Sequence, residues 1–172
     1  MIYSCSSDYS PKPTGYPRLE LPGHEYVPFD LFPEFQFDIS TIAYIDTLDQ
    51  EWFNIVYPQF NARLYCSLVS YPKNNLRAMS EEMQGFIYLH TQRSEAIEEI
   101  SFENIEKDVY GTVYLLKGSM PSPIQFVITD SIESLFRGAL YFQSKINQDS
   151  IAPVVEYINK DIEILFESFT WK

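Results

Sequence analysis

The sequence predicts an α+β fold: an antiparallel sheet flanked by helices, in the order strands, helix, strands, helix. Three observations carry that expectation. Two blocks of the chain alternate apolar and polar residues with a period of two, as half-buried strands do. Between these blocks, and again near the C-terminal end, the apolar period lengthens to that of an amphipathic helix. Several strands are also apolar on both sides, with Val113 and Leu115 pointing one way and Tyr110, Tyr114 and Leu116 the other. Such a sheet needs cover on both faces. The aromatic content of 16% fits the same picture, because aromatic rings fill pleated, half-buried surfaces.

Along the chain, residues 1–16 read as a tether and 17–172 as a single α+β domain. After Cys5 the tether is dominated by Ser, Asp, Pro and Gly, whose prolines favour extended backbone. The domain opens with the alternating Arg18-Leu-Glu-Leu21, a Pro22-Gly23 turn and a Pro-studded approach through Pro28 and Pro33. Strands are expected at Phe35–Ile39, Ile42–Ile45, Trp52–Tyr57 and Phe60–Val69, with Pro58 marking a turn or edge. Leu76, Met79, Met83, Phe86, Ile87 and His90 then form an apolar stripe on a helix that ends near Arg93. A second block supplies strands at Ile97–Ile105, Val109–Leu116, Ile124–Thr129 and Phe136–Phe142, punctuated by Gly111, Gly118 and Pro121. The last helix carries Ile151, Val154, Val155, Ile158, Ile162, Leu165, Phe166 and Phe169 on one face. Ser150 is placed to cap it, with Pro153 in the first turn, where its missing N–H has no intrahelical partner to lose.

Charge narrows the function classes. Twelve Lys and Arg against 24 Asp and Glu leave a net charge of −12 with no basic block. Nucleic acid is not an expected partner, since phosphate affinity rests on clustered cations. No apolar run approaches the roughly 20 residues of a membrane helix.

Cys5 is the feature with the clearest address. A small residue, Ser4, precedes it and an aliphatic one, Ile2, lies two further back, the pattern left by a bacterial lipoprotein processing site. A lipidated cysteine there would anchor the chain, each buried CH₂ contributing about 0.8 kcal/mol. The rival reading is an ordinary free thiol. Four residues are too few for a charged segment and an apolar stretch, so an intact signal peptide is not expected within this chain. Cys66, in a run where Ala62, Leu64, Cys66 and Leu68 alternate with Arg63, Tyr65 and Ser67, is expected in the core. Two such cysteines make neither a disulfide framework nor a metal site.

No catalytic constellation or cofactor is expected: zinc, phosphate-loop, dinucleotide and nucleophile-elbow motifs do not occur. His24 follows a turn and reads as solvated, and His90 rides a core-facing stripe. Asp46, Asp49 and Glu51 bunch in a loop but lack the alternate ligands and central Gly of a calcium loop. Glu81-Glu82 and Glu98-Glu99 read as solvated charges. Thr129-Asp130-Ser131 with Glu133 suggests a turn or a capped helical entry, and Arg137 is expected to pair with Asp130 or stack on Tyr141.

Several stretches in order resemble one family from end to end. They are Cys5, Pro11-Lys-Pro-Thr-Gly-Tyr16, Leu21-Pro22, Trp52-Phe-Asn-Ile55, Tyr57-Pro58, Asn75-Leu76, Val109-Tyr-Gly111, Gln125-Phe126, Thr129-Asp-Ser131, Arg137-Gly-Ala-Leu-Tyr-Phe142, Asp149-Ser150 and Trp171-Lys172. The chain is similar to the gliding-motility lipoprotein GldD family of Bacteroidetes, and its element order resembles the Mog1p/PsbP-like sandwich. The resemblance implies a cell-envelope lipoprotein, held to the membrane through a lipid on Cys5 and associated with gliding motility and its protein secretion machinery. It implies no catalytic residues. The leading expectation is therefore a non-enzymatic accessory protein that binds other motility or secretion components. The alternative is a periplasmic or surface module that binds glycan or peptide through exposed aromatics. A third reading, a hydrolase using Asp46 and Asp49, requires titratable groups gathered in a cleft.

Overall fold

The alternation of the first block becomes five strands in the computed structural model, which describes residues 20–172 apart from 48, 50, 73–74, 92–93, 119 and 144–147. These are β1 (Tyr26–Phe29), β2 (Phe35–Ser40), β3 (Tyr44–Thr47), β4 (Trp52–Tyr57) and β5 (Ala62–Ser70). Helix α1 (Leu76–Thr91) separates them from β6 (Ala96–Asn104), β7 (Val109–Lys117), β8 (Ile124–Thr129) and β9 (Ser134–Phe142). Helix α2 (Gln148–Ser168) and the short β10 (Thr170–Trp171) complete the chain. The expected α+β class holds. The tether with Cys5, and Arg18 and Leu19 at the domain's start, lie outside the described residues.

The strands form two sheets rather than one. A seven-stranded antiparallel sheet runs β3-β4-β5-β9-β8-β7-β6, and a three-stranded one runs β1-β2-β10. Strand β1 lies where the sequence reads only as a Pro-studded approach. Pro28 is tolerated because β1 is an edge strand and its residue is exposed. Glu20 and Leu21, by contrast, are not in a strand.

Turn chemistry sets the register of neighbouring strands. Asn61 (φ 49°) and Asp108 (φ 51°) adopt the left-handed conformation after short 3₁₀ turns, between β4 and β5 and between β6 and β7. Asn and Asp are the non-glycine residues best suited to it. Between β8 and β9, the Asp130 carboxylate accepts the backbone N–H groups of Ile132, Glu133 and Ser134 at 2.8–2.9 Å. The Thr129-Asp130-Ser131 stretch is thus a hairpin turn and not a helix entry.

The alternation of each strand sorts the large sheet into two faces. Leu64, Cys66, Phe53, Ile55, Phe126, Ile128, Phe136 and Leu140 meet α2 and the small sheet in the main core. From α2 come Val154, Ile158, Ile162, Leu165 and Phe166. Rings dominate the contact: Phe35 of β2 lies 5.1 Å from Phe136 and 5.6 Å from Phe169. Part of the opposite face is covered by α1, whose Met79 packs with Tyr114, Val127 and Leu135. Helix α2 begins at Gln148, two residues ahead of the expected Ser150 cap, so Pro153 falls in its second turn. There it removes one backbone bond near the helix end, where least of the ladder depends on it.

Candidate functional site

Helix α1 reaches only part of its face of the large sheet. Over β4, β5 and β9 the sheet stays open, forming a groove of about 600 Å³, within the roughly 300–1,000 Å³ usual for ligand sites. Pairing of β5 with both β4 and β9 fixes its pattern. Trp52, Ser67 and Arg137 form one row across the three strands, Asn54, Tyr65 and Ala139 the next, and Val56, Arg63 and Tyr141 the third. Trp52, Tyr65 and Tyr141 consequently fall on a diagonal. Trp52 is 53% exposed and Tyr65 47%, and the Tyr65 and Tyr141 rings meet edge to face at 5.5 Å.

Polar groups surround this aromatic line. Arg63 Nη1 donates to Asp46 Oδ2 at 2.9 Å. Arg137 donates from Nε to Ser67 Oγ at 3.0 Å and from Nη1 to Glu82 Oε1 at 2.7 Å, and its guanidinium lies 5.1 Å from the Phe86 ring centre. Both cations are therefore matched by carboxylates. Asn54, on the floor, is only 2% exposed. Its Nδ2 and the buried Arg63 Nε have no hydrogen-bond partner. An orphaned buried donor costs about 1–3 kcal/mol, and these two share one groove.

A second polar cluster ties the start of the described chain to α2. Asp161 is 4% exposed, and its Oδ1 accepts from Tyr26 Oη at 2.9 Å and lies 2.8 Å from His24 Nδ1. The His24 ring stacks on Tyr157 with centres 4.1 Å apart. Burial, and then the hydrogen bond to Asp161, raises the Tyr26 hydroxyl above the usual tyrosine range. Tyr57 is pushed well up by its burial and by the Asp161 charge. A half-exposed His touching a buried Asp resembles part of a catalytic relay. Its partners Asp161 and Tyr157 both belong to α2, so the contacts fasten residues 24–26 to that helix.

Among known proteins, the family model for the gliding motility lipoprotein GldD matches residues 6–171. The chain belongs to the GldD family. No curated protein matches it. Membership makes this a lipoprotein of the cell envelope, held at a membrane, with a role in gliding motility. No helix among the described residues is long and apolar enough to cross a membrane.

Against the expectations for a GldD protein, the side chains fall as follows. Cys5 lies outside the described residues, as does the side chain of His90. Cys66 is a free thiol buried in the core, and burial raises its pKa well above the usual thiol range. His24 is not simply solvated, because the fold brings Asp161 to it from 137 residues away. Arg137 pairs with Glu82 across the groove wall, not with Asp130, whose carboxylate is committed to its own turn. Glu82 is accordingly an ion-pair partner, whereas Glu81 pairs with Arg77 on the exposed side of α1. Asp46 turns to Arg63, and no three metal-ligating side chains gather among the described residues.

Most aromatic residues serve the core, with Phe35, Phe37, Phe53, Phe126, Phe136 and Phe169 almost wholly buried. Trp52, Tyr65 and Tyr141 are the exceptions that share a groove. Their outward-facing positions in otherwise core-packed strands were the available signal. What sequence reading missed was their convergence, which depends on β5 pairing with β9.

Proposed function

We propose that this protein is a non-enzymatic, lipid-anchored envelope component that supports gliding motility and its associated secretion machinery by binding partner proteins through the groove over β4, β5 and β9. One observation carries the choice of surface. Two separate stretches bearing the family resemblance, Trp52–Ile55 and Arg137–Phe142, place Trp52, Asn54, Arg137, Ala139 and Tyr141 together along it. Aromatic and Arg side chains of this kind are the commonest anchors of protein interfaces. The anchor assigned to Cys5 would leave the domain beside the membrane with its groove free to bind.

Two measurements test the two halves of this reading. Metabolic labelling of the full-length protein with a lipid precursor should mark wild type and not Cys5→Ala; absence of label, or label on both, rejects the anchor. A photo-crosslinker placed at Tyr65 should capture motility or secretion components from native envelope, whereas one at Lys160, on α2, should not. Equal capture at both positions, or none at Tyr65, rejects the groove as the partner surface.

A further inference from the structure

We infer that the groove over β4, β5 and β9 receives a proline-rich segment in the polyproline II conformation. The inference rests on the partner-binding reading and names the chemistry of the partner. Three features of the groove point to it. First, its orphaned polar atoms, Asn54 Nδ2 and Arg63 Nε, are both donors. The carboxylates near them are already engaged, Asp46 by Arg63 and Glu82 by Arg137. The ligand must therefore bring acceptors and need few in return. A polyproline II backbone has no internal hydrogen bonds, so its carbonyls are free to accept, and each proline lacks an N–H.

Second, aromatic rings line the groove. Trp52, Tyr65 and Tyr141 step diagonally across adjacent strands, and diagonal neighbours in a sheet stand about 7–8 Å apart. A polyproline II helix presents the same face every three residues, about 9 Å along its axis. Trp52 forms one aromatic ridge and the touching Tyr65 and Tyr141 rings, 5.5 Å apart, form a second; aromatic-lined grooves recognise such segments by packing rings against prolines. Third, the guanidinium charges are balanced within the groove, so a largely uncharged segment fits it better than an acidic one. A sugar chain would also stack on these rings, but its hydroxyls need acceptors as well as donors. Asn54 Nδ2 is buried in the floor, and Tyr65 is the cross-strand neighbour of Asn54. Rotation of the exposed Tyr65 ring would admit a carbonyl to it.

The test is titration of the full chain with a polyproline peptide about ten residues long and, separately, with a chitin oligosaccharide, read by calorimetry. Saturable binding of the peptide is expected, weakened about tenfold or more by Trp52→Ala or Tyr65→Ala. Both side chains are about half exposed, so the variants should fold, as circular dichroism would verify. Asn54→Leu, which removes an unpaired donor, should also weaken binding while leaving the unfolding midpoint unchanged or higher. Failure of the peptide to bind, or binding indifferent to Trp52 and Tyr65, overturns the inference. Saturable binding of the oligosaccharide alone overturns it in favour of a glycan platform. If crosslinking at Tyr65 captures envelope partners while the peptide does not bind, the groove remains the partner surface and only the polyproline assignment falls.

Discussion

Gly111 and Gly138 show how one missing methyl group sets the distance between layers. A Cβ on Gly138 would lie 2.4 Å from Cε1 of the buried Phe126 ring. On Gly111 it would meet the Val127 carbonyl oxygen at 2.4 Å and the Phe166 ring at 2.6 Å. Overpacking of this kind typically costs about 1–3 kcal/mol, and the two sites differ in what can give way. A ring can shift within its pocket, but the Val127 carbonyl is fixed in the β8 backbone. Gly111→Ala should therefore destabilise more than Gly138→Ala, with both losses measurable by urea denaturation. Neutral substitutions, or the reverse order, would refute this packing account. At the same scale, sequence marked Gly111 only as punctuation; the reason for it resides in α2, which supplies Phe166 from 55 residues away.

Strands show which features a linear pattern can disclose. β4, β5, β7, β8 and β9 fall where alternation expects them, because one or both faces of each are buried and the side-chain period of two is forced on the sequence. β1 and β10 escaped notice, the first because of Pro28 and the second because two residues carry no period. The edge strand β6 has a different liability. Most of its side chains are exposed, including Ile97 at 41% and Ile100 at 38%. Among the described residues its outer backbone edge has no partner strand, and such an edge can template another. Glu99 and Glu103 along it supply repulsion between copies, whereas Glu98 pairs with Lys117 of β7. Replacing Glu99 and Glu103 together by Val should produce concentration-dependent association, seen by light scattering, with little change in the monomer's fold. A variant that stays monomeric at high concentration would show that these charges do not protect the edge.

The whole molecule carries a pH response whose sign follows from its buried phenols and thiol. Burial is the first cause of the raised pKa of Tyr57, Tyr114, Tyr157 and Cys66. Each group holds its proton more tightly folded than unfolded. The stabilisation is fully present below the ordinary values of 9.0 for the thiol and 10.0 for the phenols, and is lost as pH rises beyond them. Unfolding free energy should accordingly fall above about pH 9, with tyrosinate absorbance appearing together with loss of structure. Phenol ionisation well before unfolding would show these groups to be open to solvent. Net charge of −12 adds self-repulsion in the same direction. Sequence by itself determined the class of fold, the two amphipathic helices, the central strands and the family, because local periodicity and ordered short stretches are written along the chain. Only tertiary structure decided the second sheet, the union of His24 with Asp161, and the groove that joins Trp52 and Asn54 to Arg137 and Tyr141. Those contacts depend on strand order, and the side-chain period that reveals a strand does not encode which distant strand will lie beside it.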